Sequence, residues 1–198
     1  MTAAEPIYLD YNATAPIREE VIALVVEIMA TVGNASSVHQ AGRKARARVD
    51  KARQQVADLI GAPAKNVIFT SGGTEADNLA LRGFGPRHLI VSGIEHGAIL
   101  APALLLDRDA AIVDVDADGR VDLDALDAAL AASTTPALVS LMLANNETGV
   151  IQPVAEAAQI AHAHNALLHC DAIQGAGKMT VDINELGADL LSLSAHKI

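Results

Sequence analysis

The sequence predicts an α/β fold with a mostly parallel sheet, and three observations carry that prediction. From residue 67 onward, short β-rich runs alternate with stretches of helical period, which is the pattern of strands joined by crossover helices. The chain has 198 residues, 51% of them apolar and 19% charged, enough for one ordinary domain with a sizeable core. Only 2% are aromatic, so that core must be built from Ala, Val, Leu and Ile.

In order, Ile7-Tyr8-Leu9-Asp10 reads as an extended arm and Tyr11 to Pro16 as a turn. Ile17 to Val32 is predicted as a helix, with Pro16 just before it and Arg18-Glu19-Glu20 in its first turn. Gly33 to His39 is a polar, irregular loop, and Ala41 to Ile60 a second helix ended by Gly61 and Pro63. Strands are then expected at Val67–Thr70, His88–Ser92, Ala111–Val115, Ala137–Leu143, Leu167–Asp171 and Asp189–Leu193. Helices are expected at Thr74–Arg82, Ala98–Leu106, Leu123–Ala132 with Asp122 as N-cap, and Val154–His164 entered at Pro153. A short piece lies around Ile183–Leu186. No repeat, low-complexity segment or linker is visible, so residues 1–15 form an arm and residues 16–198 one domain.

The formal net charge of -10 argues against a general nucleic-acid or membrane-surface role. The one basic cluster, Arg43 to Arg48 with Lys51 and Arg53, lies on a helix whose other face is apolar, and reads as a solvated face. A single cysteine excludes an internal disulfide and fits a reducing, cytoplasmic compartment. Residues 1–6 show no signal-peptide pattern, and no apolar run reaches membrane-spanning length.

The chemistry gathers at strand ends. Lys197, in Ser194-Ala195-His196-Lys197, follows the last strand, and ligand crevices of open α/β sheets lie outside strand carboxyl ends. A desolvated lysine amine there suits Schiff-base chemistry with a carbonyl. Ser71-Gly72-Gly73-Thr74-Glu75 links a strand to a helix, and a helix start with two glycines can cradle a phosphate. The same turn also fits an ordinary cap, with Thr74 as N-cap and Asp77 as its partner carboxylate. It matches neither the Walker A nor the dinucleotide fingerprint. Asp171 ends a strand that is apolar apart from His169, and could hold a protonated pyridine nitrogen, as a pyridoxal 5'-phosphate (PLP) site requires. Gln174 stands three residues on. Asn145-Asn146-Glu147-Thr148-Gly149 follows another strand and offers amide donors, and Glu95-His96 follows a third and offers an imidazole that could stack on a ring. Singly, each has a bland reading as a turn or cap residue; together they bring one set of donors to one edge of one sheet. His162 and His164, two apart on a helix, point away from each other and read as surface histidines rather than a metal pair. Cys170 reads as a small core residue.

These pieces resemble a known family. Tyr8-Leu9-Asp10 with Ala13-Thr14-Ala15-Pro16, Gly33-Asn34 with Ser36-Ser37 and His39, and Phe69 to Glu75 occur in that order. Glu95-His96, Asn145 to Gly149, Asp171-Ala172-Ile173-Gln174 and Ser194 to Lys197 complete the match. Over almost its whole length the chain resembles the amino-terminal half of cysteine desulfurases of the nitrogen-fixation and iron–sulfur-cluster type, within the class V aminotransferases. The resemblance implies a three-layer sandwich, the large PLP-binding domain of fold type I, here incomplete and stopping after the Schiff-base lysine.

It also implies roles. Lys197 carries the PLP aldehyde and moves protons at the substrate α-carbon. Asp171 pairs with the pyridine nitrogen, and His96 stacks on the ring. Asn146 and Gln174 contact the phenolic oxygen, while Gly73, Thr74, Ser194 and His196 hold the phosphate. Asn34 lies near the substrate. The implied reaction takes sulfur from L-cysteine to an enzyme thiolate and releases L-alanine. A homodimer and a sulfur acceptor such as an iron–sulfur scaffold protein are implied as partners. Cys170 does not match the family's nucleophilic cysteine, so the chain is expected to be catalytically incomplete alone. The alternatives are a selenocysteine lyase or another class V enzyme, and a non-catalytic scaffold or dimerisation domain. The intact lysine, aspartate and histidine argue against the last.

Overall fold

A computed structural model describes residues 7–83, 85 and 87–198. Residues 1–6, which carry the first part of the arm and the amino-terminal stretch read for a signal peptide, lie outside the described residues.

The centre is a five-stranded sheet of β1 (His88–Ser92), β2 (Ala111–Val113), β3 (Ala137–Met142), β4 (Leu167–Asp171) and β5 (Leu190–Ser192). The strand order is β2-β1-β3-β4-β5 and every pairing is parallel. β3 is buried along its whole length, as expected of a strand covered on both faces.

Its side chains sort by parity. Val139 and Leu141 join the core under α5 (Leu123–Ala132) and α6 (Val154–Ala163), with Leu126, Leu130, Ala157 and Ala161. Leu138 turns to the other face, into the smaller core with Leu81 of α3 (Gly73–Arg82) and Ile99 and Ala103 of α4 (Gly97–Leu106). The result is the expected α/β three-layer sandwich, helix–sheet–helix. Fully burying a Leu or Ile contributes about 1.5–3 kcal/mol, so the aliphatic strands supply most of the driving force in a chain poor in aromatics.

The helices end where local chemistry stops them. α2 (Gln40–Ile60) starts at His39, whose Nδ1 accepts from the Gly42 N–H at 3.3 Å, and stops at Gly61, in the left-handed region at φ 69°. α5 is capped as read from the sequence, Asp122 Oδ1 accepting from the Ala125 N–H at 3.0 Å. Pro102 lies inside α4 and cannot donate to the Ala98 carbonyl, which instead accepts from Asn78 Nδ2 at 3.4 Å and so ties α4 to α3. α1 (Glu19–Met29) is shorter at both ends than the expected Ile17–Val32 and has no buried residue.

Several strand expectations change as well. Val67–Thr70 is not a strand: it follows a 3-10 turn at Ala64–Asn66 and pairs with no strand among the described residues. Arg53 instead donates to the Val67 carbonyl and lies 5.1 Å from the Phe69 ring centroid. The strand expected at Ala111–Val115 ends at Val113, Val115 pairing antiparallel with Val121. The last strand covers Leu190–Ser192 rather than Asp189–Leu193; the Asp189 N–H still donates to the Leu168 carbonyl at 2.9 Å, while its carboxylate accepts from the Leu168 N–H at 2.8 Å and from His162 Nε2 at 3.0 Å. His164 pairs with a different aspartate, Asp127, at 2.7 Å. The basic face of α2 is solvated, with Arg46–Asp50 and Arg48–Glu27 ion pairs on exposed side chains. No helix among the described residues is long and apolar enough to cross a membrane.

Candidate active site

In the order β2-β1-β3-β4-β5 the chain reverses direction across the sheet between β1 and β3, and a crevice opens at that point outside the carboxyl ends. The segments leaving β1, β3, β4 and β5 and the start of α3 line one cavity of about 250 Å³. Nine residues singled out by sequence meet there: Gly73, Thr74, His96, Asn146, Asp171, Gln174, Ser194, His196 and Lys197. Asn34 does not line it; its Oδ1 accepts from the Ser36 N–H at 2.9 Å and shapes its own exposed loop.

Each wall has a local cause. Gly72 has no side chain to cap α3, so the first N–H groups of that ten-residue helix stay open to a ligand at the positive end of the dipole. Gly73 is the close-approach glycine: a Cβ there would stand 2.4 Å from Ile173 Cδ1 and 3.6 Å from Ser194 Cβ. The cap considered for Thr74 and Asp77 does not form. Glu75 takes that work, its Oε2 accepting from the Ser71 N–H and hydroxyl at 2.6 Å each, and the Ser71 hydroxyl and then its N–H hold the Glu75 carboxyl below the ordinary range. The turn after β3 is folded by Asn145, whose Oδ1 accepts from the N–H groups of Glu147 and Thr148 at 2.9 Å each, leaving Asn146 on the cavity wall.

Asp171 is the buried carboxylate of the floor, 5% exposed. Its Oδ1 accepts from the Ile173 N–H at 2.9 Å. Burial raises its carboxyl above the ordinary range, opposed by the Ile173 N–H and by the charges of His96 and Lys197. A cationic ring nitrogen beside it would complete that opposition. Ser194 is buried, His196 exposed, and Lys197 half-buried in the single turn Ala195–Lys197. The arm closes over this turn, the Ala15 N–H donating to the His196 carbonyl at 2.9 Å.

Sequence reasoning missed four participants. Asn12 donates to the Asn146 carbonyl at 3.0 Å, and its own carbonyl accepts from Gln174 Nε2 at 2.9 Å. Lys178 Nζ donates to Gln174 Oε1 at 2.7 Å and Asn12 Oδ1 at 3.2 Å, so the Gln174 amide is committed to the arm. Burial and the nearby Lys197 charge lower the Lys178 pKa. Asp77 also lines the cavity and is 1% exposed. Its signal was present: it lies one helical turn after Gly73, on the same face of α3. Glu95, beside His96, is buried as well, its Oε1 accepting from the Ser92 hydroxyl and the Met142 N–H at 2.7 Å each.

The profile of the family described as Aminotransferase class-V matches residues 7–198. The chain belongs to the class-V aminotransferase family. Among curated relatives, it is 42% identical over 201 residues to the cysteine desulfurase IscS of Dictyoglomus turgidum, covering 96% of this chain and 50% of that protein. Among solved structures it resembles a NifS-like protein from Rickettsia africae at TM-score 0.93 and 36% identity, over 97% of this chain and 54% of that one. It also resembles SspA, solved in complex with cysteine, at TM-score 0.89 and 29% identity, over 96% of this chain and 57% of that one. The chain spans about half the length of the curated relatives it matches.

Class-V aminotransferases and cysteine desulfurases imply a PLP cofactor, and the residues here fit one. The cavity offers an uncapped helix start floored by a glycine that a Cβ would fill, a buried carboxylate without a fixed counter-ion, and a lysine amine.

Proposed function

We propose that this chain is the cofactor-binding half of a PLP-dependent cysteine desulfurase, which removes sulfur from L-cysteine and releases L-alanine. The observation that supports it most is the convergence of Lys197, Asp171, His96 and the α3 start on one cavity, from four separate segments of the chain. When bound, PLP supplies an electron sink for negative charge at the substrate α-carbon.

This chain's residues do the rest. The N–H groups at Gly73 and Thr74, with the Ser194 hydroxyl and the His196 imidazole, hold the phosphate. Asp171 would keep the pyridine nitrogen protonated, and His96 would pack against the ring. Asn146 would serve the phenolic oxygen, and the Gln174 amide would join it only by exchanging its hydrogen bond to Asn12 or Lys178. Lys197 Nζ would hold the cofactor aldehyde and, when free, would accept the proton from the substrate α-carbon. Asn34 would approach the substrate only on leaving its hydrogen bond to the Ser36 N–H.

The sulfur-accepting thiol comes from outside these residues. Cys170, the chain's one cysteine, is fully buried, and burial first, with the Asp171 and Glu95 charges after it, pushes its thiol well above the ordinary value. The reading therefore includes a complete enzyme that carries the nucleophilic cysteine, acts as a cytoplasmic homodimer and passes sulfur to an acceptor such as an iron–sulfur scaffold protein.

The test is to load the chain with PLP, reduce with borohydride and map the modified peptide by mass spectrometry. A pyridoxyl group on Lys197, lost in Lys197→Ala, is expected. A chain that is folded by circular dichroism yet carries no adduct at Lys197 overturns the proposal.

A further inference from the structure

The α3/α4 side of the sheet is not a simple apolar layer. Beneath α3, Ser140 of β3, His169 of β4 and Ser192 of β5 are 0%, 0% and 3% exposed and form a chain. His169 Nδ1 is 2.9 Å from Ser140 Oγ, and His169 Nε2 is 2.8 Å from Ser192 Oγ. The imidazole thus has both nitrogens engaged by hydroxyls, and burial lowers its pKa to about 4, so it is neutral.

Asp77 descends from α3 onto this chain. Its Oδ1 lies 3.9 Å from His169 Nε2, and neither carboxyl oxygen makes a well-formed hydrogen bond among the described residues, the Ser192 hydroxyl that His169 engages giving it the one opposing contact. The groups that face the cluster are few. His169 and Asp171 come from β4, and Ser192 from β5. Glu95 comes from the turn after β1 and senses both aspartates. His96 and Lys197 act on Asp171, and nothing cationic acts on Asp77. Three buried carboxyls therefore share one small volume, and only Asp171 has an N–H donor at its own turn together with nearby positive charge. Two buried carboxyls that repel one another cannot both ionise cheaply, and the proton goes to the one with less support.

We propose that Asp77 is a positioning residue held as a neutral carboxylic acid behind Asp171, so that the negative charge of the pair resides on Asp171 at the cavity floor. The placement of the proton follows from the cluster alone; its use in gripping a cationic ring nitrogen rests on the function proposed above. Asp77 then fills the space between α3 and the His169 chain, adds no charge of its own, and leaves Asp171 the single anion under the ring. Burial, then repulsion from Asp171, raises the Asp77 carboxyl to about 7, with Ser192 opposing.

The experiment follows carboxyl carbon resonances of the cofactor-free chain by NMR from about pH 4 to about pH 9, a range that brackets ordinary and raised carboxyls. Asp77→Asn assigns the resonance. A midpoint near 7 is expected for Asp77; a midpoint in the ordinary range, around 4, overturns the proposal. PLP binding to the same chain at about pH 6 gives the second readout. Asp77→Asn, which copies the neutral acid, should bind within about twofold of the parent, whereas Asp77→Ala, which opens the space behind Asp171, should bind at least about fivefold more weakly. A loss of about tenfold or more in Asp77→Asn would mean that its charge, not its shape, serves the site, and also overturns the proposal. A chain that takes no PLP at all counts against the function proposed above, and the NMR midpoint then decides the placement of the proton by itself.

Discussion

Replacing Glu95 with glutamine should make the protein more stable as the pH rises, against the usual expectation for deleting a buried hydrogen-bonded group. Glu95 is 5% exposed and joins β1 to β3 through Oε1, while Oε2 has no partner among the described residues. Glutamine keeps the carbonyl acceptor for the Ser92 hydroxyl and the Met142 N–H, places an uncharged amide nitrogen where Oε2 stands, and removes the titration, so its pH dependence rather than its absolute stability carries the test. Burial dominates the shift and raises the carboxyl from 4.5 to about 8, with the Ser92 and Met142 hydrogen bonds opposing and the two aspartates adding to it. The folded state thus keeps a proton that the unfolded chain releases above 4.5. The unfolded state binds fewer protons across that window, so stability falls as pH rises from 4.5 to about 8 and is level above it. At about 1.4 kcal/mol for each unit crossed, the loss amounts to about 5 kcal/mol by the top of the window. That is a large part of the roughly 5–15 kcal/mol that holds a domain together. Urea unfolding of parent and Glu95→Gln at intervals across the window measures it. The parent should lose stability relative to the variant steadily toward alkaline pH. Parallel curves, or a variant that loses stability as fast as the parent, would show that Glu95 is ionised in the fold and that the burial argument is wrong.

Other outcomes follow from the same structure. Gly42→Ala would place a Cβ 2.1 Å from the Ser37 carbonyl oxygen, a backbone atom that cannot swing aside; it should cost about 2–3 kcal/mol, read as a lower urea midpoint at unchanged slope. Cys170 should resist thiol reagents in the folded chain and react at once in denaturant, and fast labelling of native protein would contradict its burial. Asn78→Ala should cost about 1 kcal/mol, because it leaves the Ala98 carbonyl without the donor that Pro102 cannot supply; an unchanged midpoint would mean that water replaces it. Asp107 accepts from the Leu89 N–H, the Asp109 N–H and His88 Nδ1 at 2.9–3.0 Å, and Asp107→Ala should lower the midpoint by removing all three contacts at the start of β1.

The alternation of β-rich runs and helices was enough to read the α/β class and five of the six expected strands. The sixth, Val67–Thr70, has the right residues for a strand, but a strand is a relation between two segments, and its own sequence cannot say whether a partner lies alongside. The site was legible where its chemistry lies at a strand end, as with Asp171, His96 and Lys197, because the sheet topology itself collects such residues. Asn12 and Lys178 were not legible, since they meet Gln174 across 162 positions and four positions respectively by side-chain contact rather than by pattern. Asp77 was misread for a different reason. An acidic residue in the first turns of a helix ordinarily serves the cap, and that expectation outweighed the one-turn spacing from Gly73 that places Asp77 on the cavity face, while Glu75 does the capping.

The two faces of the sheet divide the work. On the α5/α6 side the parity of β3 and β4 presents Val139, Leu141, Leu168 and Cys170, an aliphatic core that needs no polar partner. On the α3/α4 side the same strands present Ser140, His169 and Asp171, which cost stability unless satisfied and would be poor choices for a face whose only purpose was to fold. A parallel strand cannot place Asp171 at its carboxyl end, facing α3, without also facing residue 169 the same way, two positions earlier. His169 with its serine neighbours gives that position a neutral polar filling that is fully hydrogen-bonded. It supports the floor of the cavity without adding a second charge to it. The polar layer is therefore the structural consequence of putting one anion at the base of the site, and the aliphatic core on the opposite face is what lets the fold carry it.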